Sequence, residues 1–202
     1  KELAQLDKQT RRIMRDLGIN LRIVHRETKM DSLYTDFVAE DFPENYVSRL
    51  AAAPQIETIV HLVATLQHKI TWNQRTALLT GILPVLTGSQ KNAEKKHMVN
   101  GVETGSVLLG HELGIDRKVG ETVEIKGHTF RIARIMEASG GLEDVQLVVD
   151  LRDAQKVLSK PGKINQIMAL NCKCKGDRIS IIRKELEGVL PDTKITELRS
   201  RA

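Results

Sequence analysis

One pattern occurs twice in this chain, once near each end, and that duplication limits the folds open to it. Ile19 to Arg26 alternates apolar and polar, with Ile19, Leu21 and Ile23 against Asn20 and Arg22, which is the period of a strand with one wet face. Pro43 is placed to open a short helix, because its missing N–H costs nothing in a first turn. Tyr46, Val47 and Leu50 would form its buried stripe, and Pro54 would end it. Gln55 to Lys69 then favours β structure, turns over near Trp72 and Asn73, and returns through Thr76 to Leu83 as a hairpin. Toward the other end, Ile164 to Cys174 reads as a strand and Thr193 to Leu198 as another. Between them Arg178 to Leu190 reads as a helix with Ile179, Ile182, Leu186 and Val189 on one stripe. The helix exits also match, Ala53-Pro54 against Leu190-Pro191. Two strand–helix–strand units imply an α+β chain with a split βαβ, ferredoxin-like subdomain. One sheet carrying both helices on a single face would bury both stripes.

About eighty residues of different character separate the two units. Val85 to Asn100 is polar. Gly105 to Gly114 follows, then a tight β pair, Glu121 to Lys126 with Thr129 to Met136, turning around Gly127-His128. After the loop Ser139-Gly140-Gly141, Val145 to Leu151 reads as a strand leading into a short helix, Asp153 to Leu158. Ahead of all this, residues 1–17 form a helix with a coiled-coil-like seam of Leu3, Leu6, Thr10, Ile13 and Leu17, and Gly18 stops it. The polar, acidic stretch Glu27 to Phe42 reads as a loop. The expected organisation is therefore a stalk helix over 1–17, a βαβ subdomain from 18–83 and 164–198, and an inserted β-rich subdomain over 84–163.

A chain of 202 residues is long enough to bury a core without disulfide or metal staples. Aromatic residues make up only 3% of it, so that core must be aliphatic. No apolar run approaches the ~20 residues of a membrane span. The net charge of +5 invites a nucleic-acid reading, but its distribution argues against one. Residues 1–30 carry a net +4, residues 31–54 a net −4, and no aromatic lies among the lysines to stack a base.

Chemical motifs are sparse. Gly105-Ser-Val-Leu-Leu-Gly110 has the glycine spacing of a phosphate-binding loop, but His111-Glu112 stands where Lys and Ser or Thr are required. The same His111-Glu112 lacks the second histidine of a zinc-peptidase helix, since position 115 is Ile115. Cys172 and Cys174, two apart in a strand and flanked by Lys173 and Lys175, are the one candidate for a soft metal or redox pair; ordinary packing is the bland alternative. His25, His61, His68, His97, His111 and His128 show no ligand spacing, and Ser106, Ser139 and Ser180 lack a nucleophile-elbow context. Glu143-Asp144 suits a solvated turn. No catalytic residue, cofactor site or required metal is expected.

From Gly105 onward the chain resembles the extracytoplasmic core domain of ABC-transporter permeases of the MacB/FtsX/LolC-E type. The resemblance is carried by Gly105-x3-Leu109-Gly110, by Val119-Gly120-x-Thr122-Val123-x-Ile125-x-Gly127-x2-Phe130-x-Ile132, by Asp150-Leu151-x-Asp153-Ala154-Gln155-x2-Leu158, and by Ile164-Asn165-x-Ile167, in that order. It implies a porter-type βαβ portion with an inserted β-rich portion, lying between two membrane helices on the periplasmic face of a bacterial inner membrane. It also implies a non-catalytic domain that carries motion from a cytoplasmic ABC ATPase subunit to an extracytoplasmic cargo or accessory protein, beside a second permease copy. The seam residues Leu3, Leu6, Ile13 and Leu17 would then be the coupling stalk. The competing reading is a stand-alone binding module of ferredoxin-like type, with nucleic acid as one conceivable ligand.

Overall fold

The structure, a computed structural model, describes residues 19–37, 39–54, 59, 61–87, 100–172 and 178–198. The seam helix over 1–17 lies outside the described residues, as does Cys174.

Strand β1 (Ile19–His25) begins the described chain where the alternation places it. A short helix α1 (Met30–Thr35) then occupies part of the stretch read as a loop. Six residues are too few for a periodic signal. The helix exists because Leu33 is buried with Val24 and Ala39, and Met30 packs against them. Pro43 does not open the next helix. It lies in a two-residue strand β2 (Phe42–Pro43) paired to β9 (Lys163–Ile164), and Glu44 N–H donates to Gly162 at 2.9 Å. Helix α2 (Asn45–Ala52) starts only after this backbone is engaged. Val47 and Leu50 form its buried stripe, with Tyr46 partly covered.

The dominant feature is a hairpin of two 12-residue strands, β3 (His61–Trp72) and β4 (Arg75–Leu86). Asn73 and Gln74 form its two-residue turn with φ of 47° and 62°, the left-handed conformation that suits the twist of paired strands. Beyond it come β5 (Ser106–Leu109), a one-turn helix α3 (His111–Gly114), β6 (Thr122–Ile125) and β7 (His128–Ile135). The turn between β6 and β7 is Lys126-Gly127, one residue earlier than the sequence suggests. Both residues have positive φ, and a glycine in the second position relieves the strain. A single 3-10 turn (Leu142–Val145) leads to β8 (Gln146–Asp150) and helix α4 (Leu151–Val157). That helix starts two residues before its expected N-terminus because Asp150 caps it, accepting from Arg152 N–H at 2.9 Å. Strand β10 (Gln166–Cys172), helix α5 (Arg178–Val189) and β11 (Thr193–Leu198) complete the chain.

Among the described residues, nine strands form one sheet in the order β11-β1-β10-β3-β4-β8-β5-β7-β6. The first four are mutually antiparallel, the arrangement expected of a split βαβ pair. Leu21 and Ile23 of β1, Ile167 and Ala169 of β10, Val47 and Leu50 of α2, and Leu186 of α5 share one core, so both helices cover the same face. Strands from the central eighty residues extend this sheet through the parallel pairing of β4 with β8. Helix α4 packs where the two groups of strands meet. Gly81 on β4 lets it approach: a Cβ there would stand 2.3 Å from the Ala154 Cβ and 3.2 Å from the Leu151 Cα.

Replacing Gly81 with Val should therefore drive α4 off the sheet and destabilise the chain by about 1–3 kcal/mol, read as a lower urea midpoint. Adding Ala154→Gly should recover part of that loss. An unchanged midpoint in the single variant would show that the helix does not depend on this contact.

Candidate functional site

The glycine-spaced segment 105–110 is not a loop but strand β5 with a glycine at each end, and its backbone donors are used internally. Gly105 N–H donates to the Asp153 carboxylate at 2.7 Å, and Gly110 N–H to the Gln146 carbonyl at 2.8 Å. An extended strand offers no concave row of free N–H groups for a phosphate. His111 and Glu112 lie on the one-turn helix α3, where Glu112 accepts from Arg75 through both its carbonyl and its carboxylate, at 2.7 and 3.1 Å. Asp144 accepts from Ser139 N–H, Ser139 Oγ and Gly140 N–H within 3.0 Å. The Ser139 backbone bond, aided by Gly140 and the Ser139 hydroxyl, holds its carboxyl below the usual carboxylate range. This pairing closes the Ser139-Gly140-Gly141 loop and leaves Ser139 committed to structure. Among the described residues, no three or more His, Cys, Asp or Glu side chains converge as metal ligands. Cys172 ends β10, and its geometry relative to Cys174 lies outside the described residues.

Four of the residues that carried the resemblance, Gly105, Asp153, Gln155 and Asn165, act as cross-links at separate places in the fold. Asp153 leaves α4 to hold Gly105 at the start of β5. From the same helix, Gln155 Nε2 donates to the Glu44 carboxylate at 2.9 Å and to the Lys163 carbonyl at 3.0 Å, joining α4 to the entry of α2 and to β9. Asn165, fully buried between β9 and β10, accepts from Gln67 N–H at 3.0 Å and donates to the Gln67 carbonyl at 2.8 Å. It thereby continues the β10–β3 ladder with a side chain in place of backbone. Glu44 and Gln67 had no local signal in the sequence, because each acquires its role from a partner about a hundred residues away.

A third cluster was equally silent. Lys160, after α4, is ion-paired and hydrogen-bonded to Asp41, which precedes β2. His68 Nε2 on β3 faces the other oxygen of that carboxylate at 3.5 Å, and neither atom has a hydrogen-bond partner among the described residues. Burial, and then the charge of Lys160 with a smaller part from Lys126, pushes the His68 pKa down despite the attraction of Asp41. Part of the acidic block of residues 31–54 is therefore a tether from the segment before α2 to the end of α4.

At the turn end of the long hairpin the surface is partly apolar. Trp72 donates Nε1–H to the Glu124 carbonyl at 2.7 Å, and the Arg117 guanidinium lies 6.0 Å above its ring. Nearby, Ile115 and Val119 are 65% and 60% exposed. These features can hold segments together and present a surface; they do not assemble a nucleophile, a base and an oxyanion donor.

This four-stranded split βαβ end, with its sheet continued through β8, β5, β7 and β6, is a fold also seen in solved periplasmic and extracellular domains. Two solved structures share it. The periplasmic region of MacB from Actinobacillus actinomycetemcomitans aligns with a TM-score of 0.58 over 91% of this chain and 90% of that one, at 10% identity. The extracellular domain of the ABC-type transporter YknZ from Gram-positive bacteria aligns with a TM-score of 0.57 over 89% of this chain and 100% of that one, at 12% identity. No family model and no curated protein matches the sequence. At such identities the likeness is one of fold.

Two outcomes follow from this geometry. Asn165→Leu should strand the part-buried Gln67 N–H and carbonyl and cost about 1–3 kcal/mol in urea unfolding. The lowered His68 pKa means that, below its ordinary value near 6.5, the unfolded chain binds a proton that the folded chain does not. Stability should accordingly fall as pH drops through about 6.5 and level off once the folded state also protonates. His68→Gln should flatten that part of the profile, and an identical slope in the variant would remove His68 as its source.

Proposed function

We propose that this chain is the extracytoplasmic domain of an ABC-transporter permease subunit, and that it transmits motion rather than performing chemistry. The carrying observation is the fold likeness, which spans about nine-tenths of this chain and 90% and 100% of the two neighbour domains. Its supports are physical as well. A continuous sheet cross-linked by Asp153, Gln155 and Asn165 suits a body that must move as one piece. On this reading residues 84–163 are an inserted portion borne by the βαβ portion of 18–83 and 164–198, and residues 1–17 are the stalk. An ABC ATPase subunit in the cytoplasm supplies the work, a second permease copy stands alongside, and an extracytoplasmic cargo or accessory protein receives it. No helix among the described residues is long and apolar enough to cross a membrane.

The parent polypeptide should carry apolar stretches of ~20 residues on the N-terminal side of Lys1 and on the C-terminal side of Ala202. In that parent, reconstituted with its ATPase subunit, Leu6→Asp with Ile13→Asp should abolish cargo-dependent stimulation of ATP hydrolysis while leaving basal hydrolysis intact. Full stimulation in the double variant would remove the stalk from the mechanism. A parent without membrane segments would remove the transporter reading altogether.

A further inference from the structure

Strand β11 closes one margin of the sheet, and among the described residues it pairs with β1 alone. An antiparallel edge strand turns alternate N–H and C=O groups outward, where another extended chain can take them up. Beside this edge, between β11 and the exposed side of α5, lies a cleft of about 210 Å³. Its floor is apolar, from Leu186 and Ile195. Its rim is strongly cationic, with Arg26, Arg183 and Lys194 against the single carboxylate of Glu187.

Two of the three cations are held without being neutralised, and the third is exposed. Arg26 donates to the Pro191 carbonyl, and Lys194, opposite Val24 on β1, turns its ammonium to the other face of the sheet, where it donates to the Thr28 carbonyl; neither contact cancels a charge. Arg183 is exposed on α5. None of the three forms an ion pair with a carboxylate among the described residues. Asp192, the acidic group next to this edge in sequence, is hydrogen-bonded by the Tyr46 hydroxyl at 3.3 Å on the α2 side.

We propose that this margin is a docking site for an extended acidic segment of a partner protein, which adds to β11 as a further strand. Backbone hydrogen bonds to the edge supply affinity. One apolar side chain of the segment rests over Leu186 and Ile195, and carboxylates flanking it meet Arg26, Arg183 and Lys194. Charge complementarity selects the acidic segment, and the narrow apolar floor selects an extended chain over a helix. The site needs no ATPase and no membrane, so its test is independent of the transporter reading.

The experiment titrates the 202-residue chain with a fluorescein-labelled peptide of alternating Glu and Val and follows anisotropy at low and physiological salt. Saturable binding should weaken at least tenfold when Gln replaces the Glu residues, and by as much when alternate peptide amides are N-methylated. Hydrogen exchange at Thr193–Leu198 should slow on binding. Arg183→Glu with Lys194→Glu should also weaken binding at least tenfold, and the milder Arg183→Gln should do so in part with an unchanged circular dichroism spectrum. Equal binding of the N-methylated peptide would overturn strand addition, and equal binding by the charge-reversed variant would overturn the site. Phosphatidylglycerol vesicles run as a competing probe; if they bind through these cations while the peptide does not, the site belongs to a lipid surface and the proposal fails.

Discussion

The seating of one short helix on one glycine governs how the rest of this molecule holds together. Helix α4 lies against β4 at a distance only a missing side chain allows, with Ala154 and Leu151 filling the space over Gly81. From that position the polar side chains of the same helix reach in three directions. Asp153 holds the start of β5, Gln155 holds α2 and β9, and the Asp150 cap fixes the register at which the helix begins. Buried hydrogen bonds of this kind contribute little net stability when made and cost more when broken. Their effect is to make one arrangement of the strands much better than its neighbours.

The same logic explains the uneven charge along the chain. The acidic stretch that follows the basic N-terminal stretch is not an interaction tail. Asp41 and Glu44 from it are consumed by Lys160 and Gln155, a pairing between segments over a hundred residues apart. Uncompensated cations are left instead at the β11 margin, where Arg26, Arg183 and Lys194 contact carbonyls or solvent. Net charge alone would have pointed to nucleic acid; its location in the folded chain points to carboxylates.

Much of the architecture could be read from periodicity. β1, the long hairpin, α5 and β11 are long or strongly patterned, and their edges fall within a few residues of expectation, except that the first hairpin strand begins at His61 where the sequence suggests Gln55. The expected duplication appears as the strand order β11-β1-β10-β3. Errors fell where tertiary contact outweighs local preference. Pro43 looks like a first helical residue, but the pairing of Phe42 with Ile164 claims its backbone. Met30–Thr35 looks like loop, but Val24 and Ala39 give Leu33 somewhere to go. The resemblance motif was visible as a string, yet nothing local showed that Asp153, Gln155 and Asn165 are cross-links, because their partners Gly105, Glu44 and Gln67 are distant in sequence.

The paired 12-residue strands β3 and β4 are each about 40 Å long at the usual rise per residue. Both take part in the ferredoxin-like end and in the extension of the sheet, with no joint between. Such a ribbon resists stretching and converts rotation into travel: a tilt of about 10° at one end sweeps the Asn73-Gln74 turn through roughly 7 Å. That stroke exceeds the diameter of a side chain, so a small angular change at the open end of the hairpin is enough to make or break contact at its turn.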